Sequence, residues 1–161
     1  MNVLIVDAQG GGFGKQLVTA IKREFPDVEI TAVGTNSVAT GAMLKAGADH
    51  GATGENPVIV GARKADIIAG PIGIVIADSL YGEITPKMAL AVAQSNAKRI
   101  LIPFNHCDNI IAGVSDLSIG KLIQCALEEI RKTLAKQLSD EMEKAWELKP
   151  KIRPALRKRK K

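Results

Sequence analysis

The sequence predicts an α/β protein, a Rossmann-like three-layer fold on a mainly parallel sheet, with a long C-terminal helix and a basic tail. Three observations predict it. Apolar strand-like runs alternate with helical patterns along the body, the signature of layered α/β architecture. The run Asn2-Val3-Leu4-Ile5-Val6 passes within a few residues into Gly10, Gly11, Gly12 and Gly14 and then into a helix. An apolar stripe at helical spacing then continues from about residue 118 to residue 148.

The first strand is expected at 2–6. The helix after the glycines carries Leu17, Val18, Ile21 and Phe25 on one face and stops before Pro26. A second strand is expected at 28–33. The next helix is capped by Asn36 or Ser37 and ends at Gly47, and a third takes Asn56 as cap with Pro57 in its first turn. A strand at 66–70 follows. Ile72 to Leu80 is apolar and ambiguous between strand and helix, Thr85-Pro86 starts a helix reaching about Asn96, and 99–104 reads as a strand, with a short one at 110–114.

The last pattern, 118–148, places Ile119, Leu122, Ile123, Leu127, Ile130, Leu134, Leu138, Met142 and Trp146 on one face. Thirty residues of helix span about 45 Å, more than the width of a small domain. Either its far end packs against a second copy in a homodimer, or the helix bends to wrap its own domain. The expected organisation is a nucleotide-binding domain over 1–117, the helix over 118–148 and a disordered tail over 149–161.

With 161 residues, 46% hydrophobic and 24% charged, the chain supports one domain with a real core. Cys107 and Cys125 cannot form a disulfide framework, and the opening apolar run is interrupted at Asp7. Neither a signal peptide nor a membrane span is expected, so the expected compartment is the cytoplasm. The formal charge of +5 divides unevenly: residues 149–161 hold eight Lys or Arg and no acid, leaving fourteen bases against all seventeen acids in the rest. Such a tail makes nonspecific, salt-sensitive contact with nucleic acid or an anionic membrane, and with 3% aromatics there is little to stack on bases.

The glycine run is the strongest functional signal. Glycine lets the backbone approach an anion closely, and the helix that follows points its first N–H groups at it. Asp7, Gln9, Gly10, Gly11, Gly12, Phe13, Gly14 and Lys15 are therefore expected to hold the phosphates of a nucleotide. Against the fingerprint G-x-G-x-x-G, Gly10 and Gly12 fit while Lys15 stands in the third glycine's place, and the ribose-binding acid expected after the second strand is replaced by Gly34-Thr35-Asn36-Ser37. Thr35, Asn36 and Ser37 could hold ribose or phosphate there instead.

As a degenerate P-loop, Gly11-Gly12-Phe13-Gly14-Lys15 is followed by Gln16 where a hydroxyl must reach Mg²⁺. The plain alternative is a turn whose glycines only permit close packing. A second stretch, Gly70-Pro71-Ile72-Gly73, is expected at the same sheet edge, with Asp78, Ser79, Tyr81 and Glu83 as polar contacts or surface groups. His106 is a candidate general acid-base and Cys107 a candidate nucleophile, both in Asn105-His106-Cys107-Asp108-Asn109, while His50 is a weaker candidate. With two histidines and no Cys-x-x-Cys, no metal site is expected.

Met1 to Gly12, Ala32-Val33-Gly34-Thr35-Asn36-Ser37, Gly70 to Val75 and Ile102-Pro103-Phe104-Asn105-His106-Cys107 together resemble a family of short uncharacterised bacterial proteins grouped as a domain of unknown function. The resemblance covers about residues 1–125, leaving the long helix and the tail outside. It implies a cytoplasmic Rossmann-like domain and transfers no activity. Two functional classes fit: a nucleotide-dependent enzyme using NAD(P) or another nucleotide, and a noncatalytic sensor that passes its ligand state through the long helix.

Overall fold

The structure, a computed structural model, describes residues 1–103 and 109–147. Its strands are β1 (Asn2–Asp7), β2 (Glu29–Gly34), β3 (His50–Thr53), β4 (Ile67–Pro71) and β5 (Lys98–Ile102). All pair in parallel, in the order β3-β2-β1-β4-β5. The helices are α1 (Gly12–Glu24), α2 (Ser37–Lys45), α3 (Glu55–Lys64), α4 (Pro86–Ala93) and α5 (Ile119–Glu147), and a short 3-10 turn, Ile72–Val75, follows β4.

The near-continuous apolar reading of β1 has a direct cause, because helices cover both faces of the sheet and successive side chains enter different cores. Val3 and Ile5 pack with Leu17, Val18 and Ile21 of α1, Met43 of α2 and Leu127 and Ile130 of α5. Leu4 and Val6 face the opposite way, toward Val58 and Ala62 of α3 and Met88 and Val92 of α4. This is the expected three-layer α/β fold. No helix among the described residues is long and apolar enough to cross a membrane.

Local chemistry sets most boundaries. The Asn36 side chain accepts the Ala39 N–H at 3.0 Å and starts α2, and Thr85 accepts the Met88 N–H at 3.2 Å and starts α4. α3 begins earlier than expected, with Gly54 as cap rather than Asn56, so that acidic Glu55 sits at the positive helix end. α4 ends at Ala93, short of Asn96, because the Ser95 hydroxyl turns to the Ala62 carbonyl at 2.5 Å and receives the Ala97 N–H.

Two strand expectations are corrected. β3 was not expected, because His50-Gly51-Ala52-Thr53 is short and mostly polar; its order comes from pairing with β2 and from Thr53, which shares a 2.7 Å hydrogen bond with buried Thr40. The short strand expected at 110–114 is absent: the segment holds a turn at 112–113, and Ile110 is fully exposed with no strand beside it. Ile72 to Leu80 is neither strand nor long helix, but a 3-10 turn followed by tight turns that bury Ile74, Leu80 and Ile84.

α5 divides in two. Leu122, Ile123, Ala126, Leu127 and Ile130 are buried and Leu134 packs against them, so this half belongs to the α1 side of the core. Arg131 pairs with Glu24 and lies 6.0 Å from the Phe25 ring centre. Beyond Leu134, Leu138, Met142 and Trp146 are 61%, 73% and 74% exposed. Wrapping therefore holds only for the first half. We expect Leu127→Ala, at a site 1% exposed, to cost about 3 kcal/mol in urea unfolding, and Leu138→Ala to stay within about 0.5 kcal/mol.

Candidate ligand site at the glycine loop

The strand order reverses between β1 and β4, which opens a crevice at the carboxyl ends of those strands. The turn from β1 into α1 fills one side of it. Gln9 and Gly11 take left-handed φ values of 55° and 68°, and the Gly11 N–H closes the turn onto the Ala8 carbonyl at 3.1 Å. The buried Asp7 carboxylate anchors the turn from below, accepting the Ala8 N–H at 2.9 Å and the Gly14 N–H at 2.6 Å.

The four glycines separate into two pairs. A Cβ on Gly11 would lie 2.6 Å from the Ala39 Cα, and one on Gly14 would lie 2.6 Å from the Met43 sulfur and 2.8 Å from Asp7. These two serve close packing. A Cβ on Gly10 or Gly12 would meet nothing within 4 Å among the described residues. The N–H groups of Ala8, Gln9, Gly11, Gly14 and Lys15 are all hydrogen-bonded, whereas those of Gly10 and Gly12 make no hydrogen bond among the described residues.

Gly10 and Gly12 border a cavity of about 290 Å³ lined by residues 7–13, Gln16, Pro71, Leu80 and Ile119. Of the expected second stretch only Pro71 reaches it. A Cβ on Gly70 would strike the Val6 carbonyl, so Gly70 is a packing position, and the Gly73 carbonyl takes the Ser79 hydroxyl at 2.6 Å within its own turn. Lys15 lies elsewhere, in a groove between α1 and α5 with Arg23, Gly120 and Gln124, and the Gln16 amide donates to the Gly12 carbonyl at 3.2 Å. Among the described residues the cavity therefore lacks the lysine a P-loop needs.

Thr35 and Asn36 enter the site through Glu83. Its Oε2 accepts the Gln9 N–H at 2.9 Å, the Asn36 amide at 3.0 Å and the Thr35 hydroxyl, and Asn36 also donates to the Gln9 carbonyl at 2.9 Å. Ser37 is the exposed first residue of α2. The sequence marked Glu83 only as an optional polar contact, and nothing local announced its reach. It depends on left-handed backbone at Asp78, Leu80, Tyr81 and Gly82, three of them residues that seldom adopt it.

The two carboxyls shift in opposite directions. Burial lifts Asp7 above its ordinary 3.8 against the pull of the Gly14 and Ala8 N–H groups, and the nearby Glu83 charge adds to the rise. Burial also works to raise Glu83, but hydrogen bonds from Thr35, Gln9 and Asn36 outweigh it and hold Glu83 below its ordinary 4.5. An acid lowered on folding contributes stability that is complete above its unfolded value and is lost as pH falls through the folded one. The stability gap between wild type and Glu83→Gln should thus be full at neutral pH and narrow progressively as pH falls below the ordinary 4.5, as urea melts from neutral to acid pH would show.

His106 and Cys107 lie outside the described residues. His50 opens β3 at the amino end of the sheet, away from the cavity, and its Nε2 lies 2.8 Å from the exposed Glu29 carboxylate.

Residues 2–135 match the family described as Domain of unknown function (DUF3842). The chain belongs to this family. The DUF3842 span exceeds the resemblance read from sequence by about ten residues and takes in α5 as far as Ala135, the half that packs on the sheet, so the long helix is not outside the family as expected. No curated protein matches the chain significantly. A solved dodecameric FMN-dependent Ubix-like decarboxylase from Escherichia coli O157:H7 is 21% identical over 80% of this chain and 75% of that one, with a TM-score of 0.43, a likeness that carries no functional argument.

Proposed function

We propose that the chain binds a nucleotide or dinucleotide by laying its phosphate groups on Gly10 and Gly12, against the N-terminus of α1. The observation that carries this is the division of the glycines: two are required by packing, while among the described residues the other two meet no atom at their Cβ positions and their N–H groups take no acceptor, at the mouth of one cavity. Packing alone does not call for the second pair. Neutral amides and a helix end suit a pyrophosphate diester, with one charge per phosphate. A triphosphate would lie over buried Asp7 and near Glu83, which accepts the Gln9 N–H of the same turn, with no lysine or arginine among the described residues lining the cavity. An NAD(P)-type dinucleotide therefore fits better than ATP.

Calorimetry and crystal soaks with NAD(H), NADP(H), ATP, FMN and coenzyme A test this. We expect a dinucleotide to bind in the micromolar range with its density at residues 9–16. The reading fails if none binds more tightly than about 1 mM, near −4 kcal/mol, or if density lies elsewhere. If the site is catalytic, His106 and Cys107 are the candidates for proton transfer and nucleophilic attack, and His106→Ala would remove turnover while sparing affinity.

A noncatalytic reading draws on one further observation. Ile119, the first residue of α5, lines the cavity, while Leu138, Met142 and Trp146 form an exposed apolar stripe near the other end of the same helix. In this reading α5 reports ligand occupancy to a second copy seated on that stripe. Sedimentation at micromolar concentration should then show a dimer, lost in Leu138→Glu and changed in strength by NAD⁺. A wild-type monomer with and without NAD⁺ rejects it. Nucleic-acid contact by 149–161, a segment outside the described residues, would vanish in a chain ending at 148.

A further inference from the structure

We propose that Glu83 is the acid that holds the ribose of the bound nucleotide, and that it makes the site prefer a free 2′-hydroxyl over a 2′-phosphate. The inference rests on the phosphate reading of Gly10 and Gly12 and extends it to the next chemical group along the ligand. In a doubly wound sheet the sugar beyond the pyrophosphate reaches the end of the second strand, where an acid receives its hydroxyls. In this chain that position is Gly34-Thr35-Asn36-Ser37, which holds no acid.

The fold brings one there from another segment. Glu83, after β4, reaches Thr35 and Asn36 at the end of β2 and the Gln9 N–H in the glycine loop, so its carboxylate stands between the phosphate turn and the end of β2. All three hydrogen bonds converge on Oε2, and Oε1 takes none among the described residues. A carboxylate held by donors on one oxygen is oriented and ionised while its other oxygen keeps its lone pairs for a hydroxyl.

The backbone that delivers it is unusual. Asp78, Leu80 and Tyr81 take φ values of 61°, 54° and 58°, a left-handed course that non-glycine residues persist in chiefly at ligand clamps and switch regions. Glu83 also works against a phosphorylated ribose. A 2′-phosphate dianion beside its carboxylate would meet negative charge, with Asp7 buried beneath the same turn and no cation among the described residues that line the neighbouring cavity.

The competing role is a clasp that only ties the loops together. Calorimetry on the full chain at about 0.15 M salt, where long-range attraction to the basic tail is screened, separates the two. Wild type should bind NAD⁺ at least tenfold more tightly than NADP⁺, and tenfold more tightly than 2′-deoxy-NAD⁺. Glu83→Gln should lose about tenfold in NAD⁺ affinity and most of the preference, with binding of inorganic pyrophosphate held or strengthened by the loss of a nearby negative charge. Equal wild-type affinities for NAD⁺, NADP⁺ and the 2′-deoxy analogue overturn the ribose assignment while leaving the glycine loop intact, and they do so whether or not the variant folds. A Glu83→Gln protein that keeps the full preference overturns it as well. Failure of pyrophosphate and both dinucleotides to bind wild type removes the phosphate reading and this inference with it.

Discussion

Gly12→Val should lose nucleotide affinity by at least about a hundredfold while melting within a few degrees of wild type. The structure supplies both halves of that expectation. The new Cβ meets no atom of the described residues within 4 Å, and Gly12 is outside the positive-φ region, so the unliganded protein accommodates the change. Replacing a glycine in a compatible conformation also restricts the unfolded chain, which offsets part of any cost from the branched side chain at the helix start. The isopropyl group instead occupies the space above the Gly10 and Gly12 N–H groups, where a phosphate oxygen would lie. Calorimetry with the dinucleotide that binds wild type, beside a thermal melt, checks both parts. Unchanged affinity at unchanged stability would show that the ligand does not sit on this turn.

Gly11→Ala, one residue away and with a smaller side chain, should do the reverse and cost about 3 kcal/mol of stability. Two contributions of similar size add here: a left-handed φ of 68° on a residue with a Cβ, and a Cβ placed 2.6 Å from the Ala39 Cα and 2.8 Å from its carbonyl oxygen. Neither obstacle is the end of a flexible side chain. α2 would have to move off the turn, carrying the Asn36 side chain with it and loosening its hydrogen bond to Gln9. Urea unfolding should report the loss directly, and a variant within 0.5 kcal/mol of wild type would contradict the packing role.

The opposite roles of neighbouring glycines mark the limit of what the sequence disclosed. That Gly10 to Gly14 form a strand-to-helix turn was legible from the apolar run on one side and the helical face of Leu17, Val18 and Ile21 on the other. Which glycine answers to packing and which to open space depends on α2, whose approach is set by Gly34 and Thr40 more than twenty residues away. Glu83 was legible as a polar residue and illegible as a partner of Thr35, because the contact crosses 48 positions and rests on backbone angles that no glycine or asparagine pattern signals at Leu80 and Tyr81. β3 was missed for a related reason. Four short, largely polar residues carry no period, and only the register with β2 makes them a strand.

The two outermost strands also bear on how copies of this chain can meet. Among the described residues β3 pairs only with β2 and β5 only with β4, so each leaves one line of backbone donors and acceptors that the described sheet does not claim. Such lines recruit stray chains into continuous sheets unless something discourages it. β3 is four residues long, too brief a template to register an incoming strand firmly, and β5 begins with exposed Lys98 and Arg99, charged side chains of the kind that disfavour edge pairing. Ribbon-like polymerisation is thereby discouraged on both flanks. Any association between copies would then fall to side chains on the helices, where contact can be reversible and stop at a defined number of copies.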